Sequence, residues 1–271
     1  MRILCCGDVL GKSGRKAILD NIEDLRQRWG LDFVLVNGEN AAHGFGITEK
    51  ICKTFYEAGV DVITTGNHVW DQRDIMNYID KDPRLLRPIN YPEGTPGGGS
   101  GIFETRNGKK VLVINPMGQL FMAPLDDPFV AVEGVLKKHS LADTVDAIIV
   151  DMHAEATSEK MGMGHFCDGR ASVVVGSHSH VPTADAQILP GGTAYQTDMG
   201  MCGDYNSVIG MTKDAALARF TGDENGGRLE PAEGEATLCA VLIETDDATG
   251  LAKSVQAIRL GGRLKESFPA K

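Results

Sequence analysis

No stretch of this 271-residue chain approaches the ~20 consecutive apolar residues that a membrane-spanning helix requires. The opening MRILCCGDVLGKSG holds one arginine and an apolar stretch too short for a secretory signal, so a soluble cytoplasmic protein is expected. Six cysteines are present, at 5, 6, 52, 167, 202 and 239, but none forms a C-x-x-C pair. They read as small buried hydrophobes kept reduced. Basic residues are scarce: 27 Lys and Arg against 37 Asp and Glu leave a net charge of −10. That balance argues against docking on long nucleic acid or an anionic membrane, while allowing a small anionic substrate held by local cations. The glycine-rich GTPGGGSG lacks the Lys-Ser/Thr ending of a phosphate-binding P-loop and reads as a mobile border of a cleft. No linker, repeat or low-complexity tract divides the chain, and a single domain over 1–271 is expected.

Apolar runs alternate with helical patterns. Residues 2–7, 32–38 and 60–67 read as strands. Between them, Ile18, Ile22, Leu25 and Trp29 mark one face of a helix over 14–29, and a second helix is expected over 48–58. A third is expected over 71–78, capped by Asp71. This βαβαβ rhythm implies parallel strands covered by helices. The pattern then changes. Residues 91–101 form a loop, 101–115 a hairpin turning at Asn107-Gly108, 128–138 a helix and 146–155 a strand. The run SVVVGSHSH reads as another strand, and 236–260 as two long strands joined across DDATG, so the second half is expected to be richer in antiparallel pairs. The fold class is α/β: two packed mixed β-sheets flanked by helices.

Several strands are followed by residues suited to metal chemistry: Asp8, Glu39 with Asn40, Asn67 with His68, His153, and His178 with His180. The chain has only seven histidines, and four metal-suited ones fall at strand ends, where open α/β folds gather ligands. Were His178 and His180 in a strand, their rings would point to one side, which suits a cation better than packing does. Gly7, Gly38, Gly66 and Gly176 flank these groups and permit close backbone approach. Singly, each has a plainer use. Asp8 and Asn40 can cap turns, Glu39 can be a loop acid, and His153 can be a hydrogen-bonded core histidine.

Taken in order, Asp, Glu-Asn, Gly-Asn-His, His and Gly-Ser-His-x-His resemble the calcineurin-like metallophosphoesterases, whose wider pattern is D-x-H, G-D-x-x-D, G-N-H-[DE], a lone His and G-H-x-H. This chain departs from that pattern. Leu10 replaces the first-motif His, Glu39 replaces the bridging Asp, Val69 stands where an acid would follow His68, and Ser177 separates Gly176 from His178. These departures, with GDVLGKSGR, NGENAAHGFGIT, AEATSEK and GTAYQTDMGMCG, are similar to a compact bacterial branch described as 2′,3′-cyclic-nucleotide 2′-phosphodiesterases.

The resemblance implies two divalent or trivalent metal ions, with Glu39 bridging them. Asp8, Asn40 and His180 would serve one ion, and Asn67, His153 and His178 the other. Asn40 would compensate for the missing first-motif His. Mixed oxygen and imidazole ligands suit iron or manganese, with zinc also compatible. Two ions about 3.5–4 Å apart would activate a bridging hydroxide against a phosphodiester, with His68 as general acid. The partner of His68 is left open: Asp71 could serve, with helix capping as its other use. Substrate-binding residues are not assigned: Lys12, Arg15, His43, Arg170 and His165 are open between pocket lining and ordinary surface or loop positions. The expected substrate is a small 2′,3′-cyclic nucleotide or another phosphodiester. The alternatives are a metal-containing nucleotide sensor with little turnover, a phosphatase of different preference, or a single structural zinc. Phe121, Met122 and Phe129 are open between a homo-oligomer interface and core cover.

Overall fold

The computed structural model describes residues 1–223 and 226–269; positions 224, 225, 270 and 271 of the expected domain lie outside the described residues. The strands are β1 (Arg2–Cys6), β2 (Asp8–Val9), β3 (Phe33–Asn37), β4 (Val62–Thr64), β5 (Ser100–Glu104), β6 (Lys110–Ile114), β7 (Ala147–His153), β8 (Val173–Ser177), β9 (Gln187–Ile188), β10 (Ala194–Gln196), β11 (Met201–Cys202), β12 (Leu238–Thr245) and β13 (Ala252–Leu260). The helices are α1 (Gly11–Trp29), α2 (Glu49–Glu57), α3 (Ile75–Tyr78), α4 (Pro128–Leu136), α5 (Thr157–Cys167) and α6 (Lys213–Thr221).

One sheet has the order β13-β12-β1-β3-β4, the other β5-β6-β7-β8-β10-β9, and β2 pairs with β11 in a short third ladder. Alternation along β1 shows how the layers form. Ile3 and Cys5 face the seam between the sheets, where they meet Val113, Ile149 and Val175. Leu4 and Cys6 face the other way, toward Ile18 and Ile22 of α1. The far side of the second sheet is closed by α4 and α5, through Val132, Met163 and Cys167 against Ile148 and Val174. Central strands buried on both faces favour apolar residues, which is why β3 and β7 each open on an unbroken apolar run of four before their polar carboxyl ends. The expected two packed mixed sheets with outer helices are present. All six cysteines are buried and free.

As expected, the antiparallel pairs β5-β6, β10-β9, β12-β13 and β1-β12 all draw on strands from β5 onward, although β6, β7, β8 and β10 run parallel there. Three expectations change. The helix expected over 71–78 is the single turn α3, because the Asp71 carboxylate is engaged by His68 instead of capping. Helix α5 was hidden by Gly162 and Gly164, which weaken a helical pattern. A Cβ on Gly164 would come within 2.6 Å of the Tyr195 ring, so the packing requires glycine there. α5 also places His165 on a helix rather than in a loop. Finally, β8 ends at Ser177, so His178 and His180 lie beyond it, in left-handed backbone with φ of 97° and 66°. The shared direction of their rings is therefore a property of a strained turn, not of strand alternation.

Candidate metal centre

Strands β1, β3 and β4 are mutually parallel, as are β7 and β8, so their carboxyl ends open on one edge of the sandwich. Glu39 and Asn40 leave β3, Asn67 leaves β4, His153 closes β7, and the His178–His180 turn leaves β8. Asp8 starts β2, and His178 N–H donates to its Oδ2 at 3.1 Å.

Asn67, His153 and His178 meet on one side of this cluster. His153 Nε2 lies 3.0 Å from Asn67 Oδ1, 3.2 Å from Glu39 Oε1 and 3.1 Å from His178 Nδ1. Asp8, Asn40 and His180 meet on the other. Asn40 Nδ2 is 3.1 Å from His180 Nε2, which is 4.0 Å from Asp8 Oδ1. Glu39 touches both halves: its Oε1 is also 3.2 Å from Asn40 Nδ2. Asn40 thus turns its amide nitrogen inward, and its oxygen reaches a cation only after the amide rotates. Gly66 makes the convergence possible. A Cβ there would sit 2.2 Å from His153 Nε2 and 2.4 Å from Glu39 Oε2.

The donor set fits cations. His178 Nε2 faces the Glu155 carboxylate at 3.2 Å, so its proton belongs there, and Nδ1 presents a lone pair to the cluster. His180 Nδ1 donates to the Ile209 carbonyl at 2.7 Å, which bares its Nε2 in the same way. Asp8 Oδ1 is buried without a hydrogen-bond partner. An orphaned carboxylate oxygen is costly unless something positive faces it. Glu39, His153 and His178 each place a ligand atom within 4.8 Å of the others.

The electrostatics agree. Burial raises the Asp8 pKa to about 7, although His180 and His153 pull it part of the way back. Burial also works against charge on Glu39 and His153, but their mutual attraction wins: it lowers the carboxyl to about 2 and lifts the imidazole above its ordinary value. A proton between these two occupies ground that a cation would take. Burial, reinforced by the charge on His153, drives His178 down to about 3, leaving it neutral.

His68 stands at the rim. Its backbone N–H donates to Glu39 Oε2 at 3.2 Å, and its Nδ1 donates to Asp71 Oδ2 at 2.7 Å. Phe45 packs edge-on to its ring, with centroids 5.1 Å apart, and the side chain is 28% exposed. Asp71 is therefore the partner of His68 rather than a helix cap. Leu10, at the missing first-motif histidine, packs with Met201 and Met211 in an apolar cluster.

The other candidates stay outside the cluster. Arg170 pairs with Glu133 at 2.7 Å, and Arg15 donates to the Ala41 carbonyl. Lys12, His43 and His165 are exposed. GTPGGGSG is pinned by Arg87, which donates to the Thr95 and Pro96 carbonyls. Phe129 packs edge-on to Phe166, and Met122 covers the same core, leaving Phe121 alone fully exposed at 91%.

Sequence reasoning passed over Asp198, Lys160 and Asp151. Asp198 Oδ2 accepts from Ser179 N–H at 3.1 Å and Ser179 Oγ at 2.8 Å, holding the turn between the two histidines. Lys160, 1% exposed, donates to the same oxygen at 2.6 Å. Asp151 sits two residues before His153 on β7 and shares its face, a signal that strand periodicity contained.

Over residues 4–258 the chain matches the family described as YmdB-like protein. It belongs to the YmdB-like family. A Bacillus subtilis (strain 168) relative named 2′,3′-cyclic-nucleotide 2′-phosphodiesterase is 46% identical over 258 residues, covering 95% of this chain and 96% of that one. A solved structure from Thermus thermophilus, described as a hypothetical protein, superposes with a TM-score of 0.88 at 40% identity, covering 97% and 100% of the two chains. A structure described as a novel phosphatase from Mycoplasma pneumoniae superposes with a TM-score of 0.88 at 34% identity, covering 96% and 93%. The YmdB-like sandwich is a metallophosphoesterase-like fold, in line with the resemblance carried by the motifs.

Proposed function

We propose that this YmdB-like protein is a dinuclear-metal-dependent phosphodiesterase acting on small phosphodiesters, with 2′,3′-cyclic nucleotides as the leading substrates. Asn67, His153 and His178 would hold one ion, Asp8, Asn40 and His180 the other, and Glu39 both. Bound there, two cations supply Lewis acidity to the phosphoryl oxygens and an activated water. Iron or manganese suits these oxygen and imidazole ligands, and zinc is compatible.

The chain's own residues do the rest. The buried carboxyl and imidazole side chains set a floor against which a phosphodiester is oriented. Asp71 accepts a hydrogen bond from Nδ1–H of His68 and fixes the ring; as an imidazolium His68 carries a second proton, on Nε2, to give to the departing ribose oxygen. A net charge of −10 makes the local cations the natural attraction for an anionic substrate. The reading is carried by Glu39 touching both halves of the cluster while its second oxygen accepts from the backbone of His68. The relative's name supports the choice of substrate.

The test is turnover of 2′,3′-cyclic AMP, 3′,5′-cyclic AMP and bis-p-nitrophenyl phosphate by protein purified anaerobically, with metal counted on the same sample. Two metals per chain and preferred opening of the 2′,3′-cyclic ring are expected. Tight nucleotide binding without hydrolysis in fully metallated protein would replace the enzyme with a sensor.

A further inference from the structure

Beneath the cluster lies a second, fully buried carboxylate, Asp151, that touches none of the proposed ligand atoms. The register of β7 against β8 sets His153 beside Ser177, and Asp151 lies two residues back on the same face. Ser177 Oγ donates to Asp151 Oδ1 at 2.7 Å. Asn37 Nδ2 reaches Ser177 Oγ at 3.2 Å and Asp151 Oδ2 at 3.3 Å, and Thr64 Oγ1 donates to the same Oδ2. The Asn37 amide is oriented by its own oxygen, which accepts from Glu39 N–H at 3.1 Å. The last contact is His153 Nδ1, 2.9 Å from Ser177 Oγ.

Counting protons decides the direction of the chain. A hydroxyl has one proton and two lone pairs. Both Asp151 oxygens accept, Oδ1 from Ser177 and Oδ2 from Asn37 and Thr64, so the serine hydrogen points to Asp151. Asn37 occupies one serine lone pair, and the other faces His153 Nδ1, which must therefore carry a hydrogen. In the neutral imidazole the remaining lone pair then falls on Nε2, the atom lying among Asn67, Glu39 and His178.

We propose that Asp151 is a positioning residue that holds a hydrogen on His153 Nδ1 through Ser177, leaving Nε2 as the nitrogen that binds a cation. This rests on the reading of His153 as a metal ligand. Metal-bound histidines commonly hand their second N–H directly to a carboxylate or carbonyl. Here a serine is interposed, and it is the residue by which the chain departs from G-H-x-H.

The test compares wild type with Ser177→Ala, Ser177→Thr, Asp151→Asn and His153→Ala. Zn²⁺ and Mn²⁺ affinities are measured by chelator competition, and imidazole ¹⁵N shifts are recorded on the Zn²⁺-loaded proteins. The wild type is expected to show His153 protonated at Nδ1 and coordinated through Nε2. Ser177→Ala and Asp151→Asn should weaken metal binding by about 10–100-fold and lose the single-tautomer signature. Ser177→Thr, which keeps the hydroxyl, should restore both. Should Asp151→Asn fail to fold, Ser177→Ala, which removes one oxygen atom, carries the test. Unchanged affinity and an unchanged Nδ1-protonated His153 in Ser177→Ala would overturn the relay. Unchanged metal count and affinity in His153→Ala would instead overturn the ligand assignment beneath it.

Discussion

His68 and Asp8 make opposite demands on an experiment. His68 touches Glu39 only through its backbone N–H, and its ring faces Asp71, so its side chain is not needed to hold metal. His68→Ala should keep the metal content of the wild type while turnover falls by about 10²–10⁴-fold, the usual contribution of a general acid. Loss of metal together with activity would show that His68 has been given the wrong part. Asp8 should reveal itself through protons. Burial lifts its pKa to about 7, so in metal-free protein it is mostly protonated at pH 6 and mostly ionised at pH 8. A cation displaces that proton. Metal uptake should therefore release more protons at pH 6 than at pH 8, and affinity should rise with pH up to about 7 and then level. His153, raised by Glu39 against the effect of burial, acts in the same direction, while His178, already neutral, adds nothing. Proton release that does not change between pH 6 and 8 would contradict this picture.

The turn after β8 needs an anchor, because two non-glycine residues there occupy left-handed backbone. Asp198 supplies it through Ser179, and α5 supplies the compensating charge through Lys160. Removing one partner of a buried ion pair leaves an uncompensated charge, at a cost of about 3–5 kcal/mol. Lys160→Met should lose stability of that order in denaturant unfolding, and adding Asp198→Asn should recover part of it. If Lys160→Met unfolds at the same denaturant concentration as the wild type, the pair is not what holds the turn. This element also marks a limit of pattern reading. Of the glycines that disguised α5, Gly164 is demanded by the Tyr195 ring, a partner about thirty residues away, and the truncation of α3 follows from where one Asp71 carboxylate finds its hydrogen bond.

Two sheets, each contributing strand ends to one edge, make the molecule a scaffold whose folded state would hold the proposed cations and whose unfolded state could not gather them. Ligands that bind only the folded form stabilise by mass action, about 2.7 kcal/mol at a hundredfold excess over Kd. At about 2–4 °C per kcal/mol for a chain near this size, Mn²⁺ loading should raise Tm by roughly 5–10 °C, and a chelator should reverse the rise. A Tm indifferent to both would weigh against the centre as drawn.

Periodicity made most of this architecture legible, since one-sided and two-sided burial leave different spacings of apolar residues, and the strand ends carried their chemistry in plain residue types. Asp8, Glu39, Asn67, His153, His178 and His180 could be picked out because, although each has a plainer use singly, carboxylates, amides and imidazoles recur, mostly beside glycine, at the end of one apolar run after another. Which of those atoms face one another, that Asp71 serves His68, that Lys160 and Asp198 brace the histidine turn, and that Asp151 reaches His153 through Ser177 were decided only by the tertiary structure. Each of those relations is a hydrogen bond between residues brought together by sheet register and loop geometry, and its direction depends on counting protons among neighbours that no local pattern lists together.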